Sequence, residues 1–395
     1  MDRRTLTAIL TASVALVAST ALLTVAGPLS PPAGAVAPTY KTLTQVEPRT
    51  PISASTTPGD GSNTFRITQP GSYYLTGNIQ GVSGDNGILV TVSHVTIDLG
   101  GFTLLGGGNI GISASLGISD VTVRNGSVTG WNTNGIGLSN ARDCRIESVI
   151  ASGNTFQGIS VGPSSRVESC TASNNGGAGI IVGDGSLVLG CVADANGTDG
   201  ISLSNGCTVE LSTATGNADD GFSLLNFCLA RACVASENGG DGFTASDSVQ
   251  IIDCGAYLNG AIGINGAFSA AVDGCTVVGS GADGIDFGSY SRITNNLCRA
   301  NGVAGTAAGL YCPASTTDAH VEGNTCVRND RGIEIDGTGN VIIRNSCGGN
   351  TTDNYDIAAG NHVGTVAAAP ASAAVTGNSG GSGVGTTNPW GNIAY

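Results

Sequence analysis

The chain has 395 residues, of which 63 are Gly, 11% are charged and 40% are hydrophobic. It is too apolar for a disordered chain and too rich in Gly, Asn, Ser, Thr and Val for a helical one, so strands and turns must dominate. The net charge of −14, with Lys41 the only lysine, argues against a nucleic-acid partner and disfavours anionic glycans unless a cation bridges them.

In chain order, the first element is an export signal over residues 1–35. Arg3 and Arg4 supply the charged start, Leu6 to Ala26 is mainly apolar, and Ala33-Gly34-Ala35 is a small-residue cleavage site. Scattered Thr and Ser residues interrupt the apolar stretch, which favours cleavage over a retained anchor, and no second hydrophobic span follows. The mature protein is therefore expected to be secreted or held at the cell surface, without membrane insertion. Residues 36–62 are rich in Pro, Thr and Ser and read as a linker.

From there a repeat governs the chain. Asn154, Asn175, Asn196, Asn217, Asn238 and Asn259 recur every 21 residues, with Ser280 next in phase. Four residues after each stands a Gly, from Gly158 to Gly284, followed by Ile159, Ile180, Ile201, Phe222, Phe243, Ile264 and Ile285. Short period-2 segments such as Arg166-Val167-Glu168 and Gly200-Ile201-Ser202-Leu203 alternate with Gly/Asn turns, so each repeat is a coil of short strands. One coil cannot bury its own apolar face, but stacking places each column over its copy about 4.8 Å away. The sequence therefore predicts an all-β, right-handed parallel β-helix over residues 63–352, with Asn side chains bonding from coil to coil. Phe65 to Ile67, Val95 to Leu99 and Val121 to Val123 read as earlier coils, and Ile293, Val321 and Ile342 as later ones. Gly302 to Thr317 is longer than its counterparts and is expected to bulge as a loop. Residues 353–395 read as a C-terminal cap or tail covering the open end.

The Asn-x-x-x-Gly-Ile turns and the run Ile67-Thr68-Gln69-Pro70-Gly71-Ser72-Tyr73-Tyr74-Leu75 resemble the secreted bacterial right-handed β-helix proteins of the pectin-lyase-like superfamily. The resemblance covers about Phe65 to Asn350. It implies the fold and leaves the function open, because that superfamily holds lyases, hydrolases, epimerases and adhesins.

Eleven of the twelve cysteines follow the repeat, and Cys312 sits alone in the longer segment. Cys170, Cys191, Cys233, Cys254 and Cys275 share one column, Cys298, Cys326 and Cys347 a second, and Cys144, Cys207 and Cys228 a third. In-register stacking holds Cβ atoms farther apart than the roughly 3.8 Å of a disulfide, so buried free thiols are expected, and the lack of any Cys-x-x-Cys argues against a metal centre.

Chemistry could sit on an acidic column just before the repeated Gly: Asp199, Asp220, Asp241 and Asp283, with Asp219 beside Asp220. Neighbouring coils would hold these carboxylates about 5 Å apart and alternate coils about 10 Å apart, which brackets the separations used in glycoside hydrolysis. Gly197-Thr198-Asp199-Gly200 and Asn217-Ala218-Asp219-Asp220 resemble the Asn-Thr-Asp and Asp-Asp segments of polygalacturonases. That resemblance implies catalytic roles for Asp199, Asp219 and Asp220; the rest of the column, Asp241 and Asp283, is expected to serve in binding. The chain departs from the pattern at Gly240-Asp241-Gly242, where that family has Gly-His-Gly, and has no Arg-x-Lys. The same column could hold Ca²⁺. Equally, Asp-Gly before a strand is ordinary turn chemistry copied with the repeat.

The resulting expectation is a secreted, non-catalytic β-helix that contacts cell-surface or environmental polysaccharide and needs no cofactor. The alternative is a polysaccharide-degrading hydrolase or lyase using the Asp199 to Asp241 stripe.

Overall fold

Each repeat forms three strands of three residues, as in Ile180–Val182, Leu187–Leu189 and Val192–Asp194. Through the regular coils each strand pairs in parallel with its copy 21 residues on: Ile180 with Ile201, Val188 with Val209, Ala193 with Ala214. The computed structural model describes residues 47–302, 307–368 and 388–395, and among these there is no helix. The strands form a 28-stranded and a 15-stranded sheet, the two faces of a parallel β-helix. The second sheet carries the Ile-x-Val strands.

The corners follow from backbone chemistry. A residue in the left-handed region turns the chain between strands, supplied at one corner by Gly190, Leu211, Ala232, Asp253 and Gly274, with φ between 50° and 67°. Glycine takes this conformation freely, whereas Leu211 and Ala232 hold it at the cost of about 1–2 kcal/mol each. Inside, Ile201, Phe222, Phe243, Ile264 and Ile285 are fully buried, and Phe222 stacks on Phe243 at 4.8 Å with an interplanar angle of 5°. The interior column of Ala172, Ala193, Ala214, Ala235 and Ala256 faces them, all at 0% exposure.

The asparagines form the expected ladder. Asn154 Nδ2 donates to Asn175 Oδ1 at 2.9 Å, and the same bond runs on through Asn196, Asn217, Asn238 and Asn259. Each Oδ1 also accepts the backbone N–H of the preceding rung, as Asn217 does from Asn196 at 3.0 Å. Ser280 breaks the series: its buried Oγ has no partner, and the ladder resumes at Asn301. A second ladder climbs Asn296, Asn324, Asn345 and Asn392, the last from the C-terminal segment.

Three boundaries differ from the sequence expectation. Residues 50–62 are part of the β-helix: Thr50–Pro51 pairs with Tyr73 and Tyr74, and Pro58–Asp60 forms an antiparallel hairpin with Asn63–Ile67. The Pro/Thr/Ser composition concealed these strands because they lie at an end, where one neighbour suffices. At the other end, Asp353–Ile357 still pairs with Arg331–Ile335, so the coils run past residue 352. Asn392–Ala394 then stacks on Ser346 and Cys347, covering that strand edge. The insertion near 302–317 is divided: Ala308–Cys312 is a regular strand paired with neighbours on both sides. Its extra residues fall before and after that strand. The 1–35 signal lies outside the described residues.

All twelve cysteines are free and buried. Burial pushes the Cys144 thiol up to about 11 and Cys326 well above its usual value, which suppresses the reactive thiolate at neutral pH. Thiol titration of the native protein is expected to find few reactive groups, and denaturation without reductant to release about twelve. A denatured count near zero would mean that the columns are cross-linked.

Candidate functional site

In the second sheet, the outer residue of each three-residue strand lies between two buried ones. Successive coils present Ser202, Ser223, Thr244, Asn265, Asp286, Tyr311 and Glu334, paired in register and half-buried. The result is a continuous row of hydrogen-bonding groups, one per coil. The acidic column predicted from sequence lines one margin of this row.

The structure brings Asp199, Asp219 and Asp220 together, with an oxygen of each within 4.8 Å of the others. Among the described residues they form the one cluster of metal-ligating side chains close enough to hold a cation. Three of their six carboxylate oxygens, two on Asp220 and one on Asp199, already accept hydrogen bonds. Asp220 Oδ1 accepts the N–H of Asp241 at 2.7 Å and its Oδ2 the hydroxyl of Thr244 at 2.6 Å. Asp241 repeats the device, accepting the N–H of Ile262 at 2.8 Å and Asn265 Nδ2 at 2.9 Å. Asp283 accepts the N–H of Ala308 at 2.6 Å, and Asp199 the Ser202 hydroxyl at 2.8 Å. Asp220, Asp241 and Asp283 thus clip their own coil to the backbone of the next. Ile262 interrupts the column, so Asp283 stands apart from the other four.

Sequence reasoning missed Asp286. It stands next to Asp283 on the outer row, and burial, followed by the Asp283 charge, raises its carboxyl from 3.8 to about 6. Its signal was the polar residue inside Ile285-Asp286-Phe287, inconspicuous beside the repeated Asp-Gly turns. Burial also raises Asp220 and Asp283. On the same sheet Arg331 is committed to Glu334 and Asp356 at 3.3 and 3.4 Å. No histidine or lysine faces this row among the described residues: His94 pairs with Asp120 and His320 with Glu322, away from the second sheet. Of the aromatic residues that could stack on a sugar ring, Trp131 is fully buried, whereas Tyr290 is 64% exposed.

The raised Asp286 pKa fixes a sign. The folded protein binds this proton more tightly than the unfolded chain, so stability falls as pH rises from 3.8 through about 6. Asp286→Asn is expected to stabilise the protein at pH 7 by roughly 1–3 kcal/mol, after discounting for solvent screening, and to flatten stability across that window. Urea denaturation at several pH values checks this. An unchanged profile in the variant would refute it.

The right-handed β-helix family model matches residues 70–215, 111–255 and 204–347, together more than half of the chain, and the protein belongs to that family. No curated protein matches significantly. Among solved structures, the A-module of the Azotobacter vinelandii mannuronan C-5 epimerase AlgE4 is similar with a TM-score of 0.53 at 15% identity, covering 75% of this chain and 91% of that one. The corresponding AlgE6 module gives 0.49 at 17% identity, covering 82% and 91%. A tailspike double mutant of E. coli bacteriophage HK620 gives 0.46 at 12% identity, covering 73% and 64%. At 15% identity the likeness to the AlgE4 module shows the fold alone.

Proposed function

We infer that the protein is a secreted, non-catalytic β-helix that contacts cell-surface or environmental polysaccharide along the outer row of its second sheet. The observation that carries this reading is the unbroken series from Ser202 to Glu334, which repeats donors and acceptors once per coil, about every 4.8 Å. A chain of sugar hydroxyls is a periodic ligand suited to such a row. That the similar A-module is named for its action on mannuronan supports a polysaccharide ligand. The engagement of Asp220, Asp241 and Asp283 with the next coil's backbone supports a structural role for the acidic column. Export depends on the 1–35 signal.

One observation favours an enzyme instead. Asp286, with a carboxyl near 6 beside Asp283, has the paired-carboxylate environment that a general acid requires. Retention of the purified protein on a panel of immobilised neutral and acidic polysaccharides, with and without Ca²⁺, tests the binding claim. Retention on at least one member, weakened in Asn265→Ala, is expected. Failure to bind any of them, or binding indifferent to the row, would contradict it.

Calcium is a separate question. Because most oxygens of Asp199 and Asp220 already have partners, added Ca²⁺ is expected to leave the melting temperature unchanged. A calcium-dependent rise, lost in Asp219→Asn, would instead establish a cation site at this cluster.

A further inference from the structure

The late coils of the 28-stranded sheet carry a feature opposite in sign to the rest of the chain. A groove of about 600 Å³ is lined by Arg299, Val327, Arg328, Gly348, Gly349 and Tyr395, with no carboxylate side chain among them. Arg124, Arg145, Arg166 and Arg344 each pair with an acidic side chain. Neither Arg299 nor Arg328 makes an ion pair or side-chain hydrogen bond among the described residues.

Both arginines line this groove, and Arg328 also borders the adjoining pocket that holds Asp330. Arg299 ends the strand Leu297–Arg299 and stands in register with Val327, which pairs in turn with Gly348. Arg328 follows at a left-handed corner with φ of 60°, and its Cγ lies 3.9 Å from where a Cβ on Gly349 would be, so its stem runs over that glycine. The bare Cα of Gly348 admits the Tyr395 ring: an added Cβ would lie 2.6 Å from the ring edge. Gly349 N–H donates to the Tyr395 carbonyl at 3.0 Å, tying that residue to the coil. In the other direction the same outward column continues through Val278 to Tyr257, which is 36% exposed.

The geometry points to a second binding site, for the anionic group of an acidic oligosaccharide. A carboxylate or sulfate is held between the two guanidinium forks, and a sugar ring lies on the Tyr395 face with the chain directed toward Tyr257. Planar guanidinium groups match such oxyanions in two-point hydrogen bonds, and an aromatic face suits the apolar side of a pyranose ring. The site is independent of the second-sheet row, whose carboxylates would repel the same ligand. The net charge disfavours anionic glycans over the chain as a whole, but this groove is lined by two arginines and no acidic side chain.

Isothermal titration of the full protein with a uronate tetrasaccharide, a sulfated tetrasaccharide, a neutral tetrasaccharide and inorganic sulfate tests the proposal. Both acidic sugars are expected to bind, more weakly as salt rises, and the neutral sugar is not. Arg299→Ser and Arg328→Ser should each lower affinity on the order of tenfold, and Tyr395→Ala should weaken the sugars but not inorganic sulfate. Arg231→Ser, the same charge change elsewhere, should leave these affinities unaltered. Parent-like binding in both groove variants, equal binding of the neutral sugar, or no binding of any probe would overturn the site. Inorganic sulfate binding as tightly as the tetrasaccharides would overturn its assignment to a sugar.

Discussion

Replacing Asn217 by alanine is expected to destabilise the protein by about 3–5 kcal/mol, far more than a polar substitution at the surface. Asn217 is 1% exposed and stands in the middle of the longer ladder. Its Oδ1 accepts the N–H and Nδ2 of Asn196, and its Nδ2 donates to the Ala193 carbonyl and to Asn238 Oδ1. Alanine leaves the Asn196 amide and a side-chain donor of Asn196 without partners in the dry interior, and removes one bond to the Ala193 carbonyl. Each orphaned group costs about 1–3 kcal/mol. Asn205, on an exposed turn where it bonds Asp184, supplies the control: Asn205→Ala should cost about 1 kcal/mol or less. Urea denaturation of both variants decides the matter. Equal losses would mean that the ladder contributes no more than a surface contact.

Trp131→Ala is expected to cost about 3–5 kcal/mol through the cavity it leaves. The indole is fully buried, its Nε1 donates to the Leu104 carbonyl at 3.2 Å, and its backbone N–H to Asn154 Oδ1 at 3.0 Å. The surrounding coils are shaped to it: a Cβ added at Gly81 or Gly87 would lie 2.6 or 2.7 Å from the ring. Flanked by glycines, the site has few side chains that could collapse into the gap. The other tryptophan, Trp390, is 48% exposed beneath the Arg344 guanidinium at 4.0 Å, and its removal should cost about 1 kcal/mol or less. Similar losses for the two variants would contradict this account of Trp131.

Much of the fold was legible in the sequence because a solenoid writes its contacts at a fixed spacing. The Asn and Gly-Ile columns named their own neighbours 21 residues away, and the register confirms them. Legibility failed where the period changed. Between Asp286 and Tyr311 the coil grows by four residues, and between the Arg292 and His320 strands by three more, so a regular strand at 308–312 passed for loop. At the first coil, Thr50–Pro51 has no repeat to announce it. Ser280 was seen to be in phase with the asparagines, but its missing hydrogen-bond partner is a fact of packing.

The candidate site was half legible. The clustering of Asp199, Asp219 and Asp220 followed from their spacing. The occupation of Asp220, Asp241 and Asp283 by the next coil's N–H groups did not, since it depends on side-chain direction at the turn. Asp286 was obscured because its environment comes from more than its own coil, with burial and the charges of Asp283 and Asp241 acting together.

The central claim is a polysaccharide surface without catalysis, and prolonged incubation of the protein with each polysaccharide it retains tests that most directly. Chain length, new reducing ends, unsaturated ends and uronate epimer composition would be followed with and without Ca²⁺. The account predicts that all four stay at the level of protein-free controls. Progressive change in any of them, abolished by Asp286→Asn or Asp220→Asn, would contradict it and make the acidic margin of the second sheet an active site.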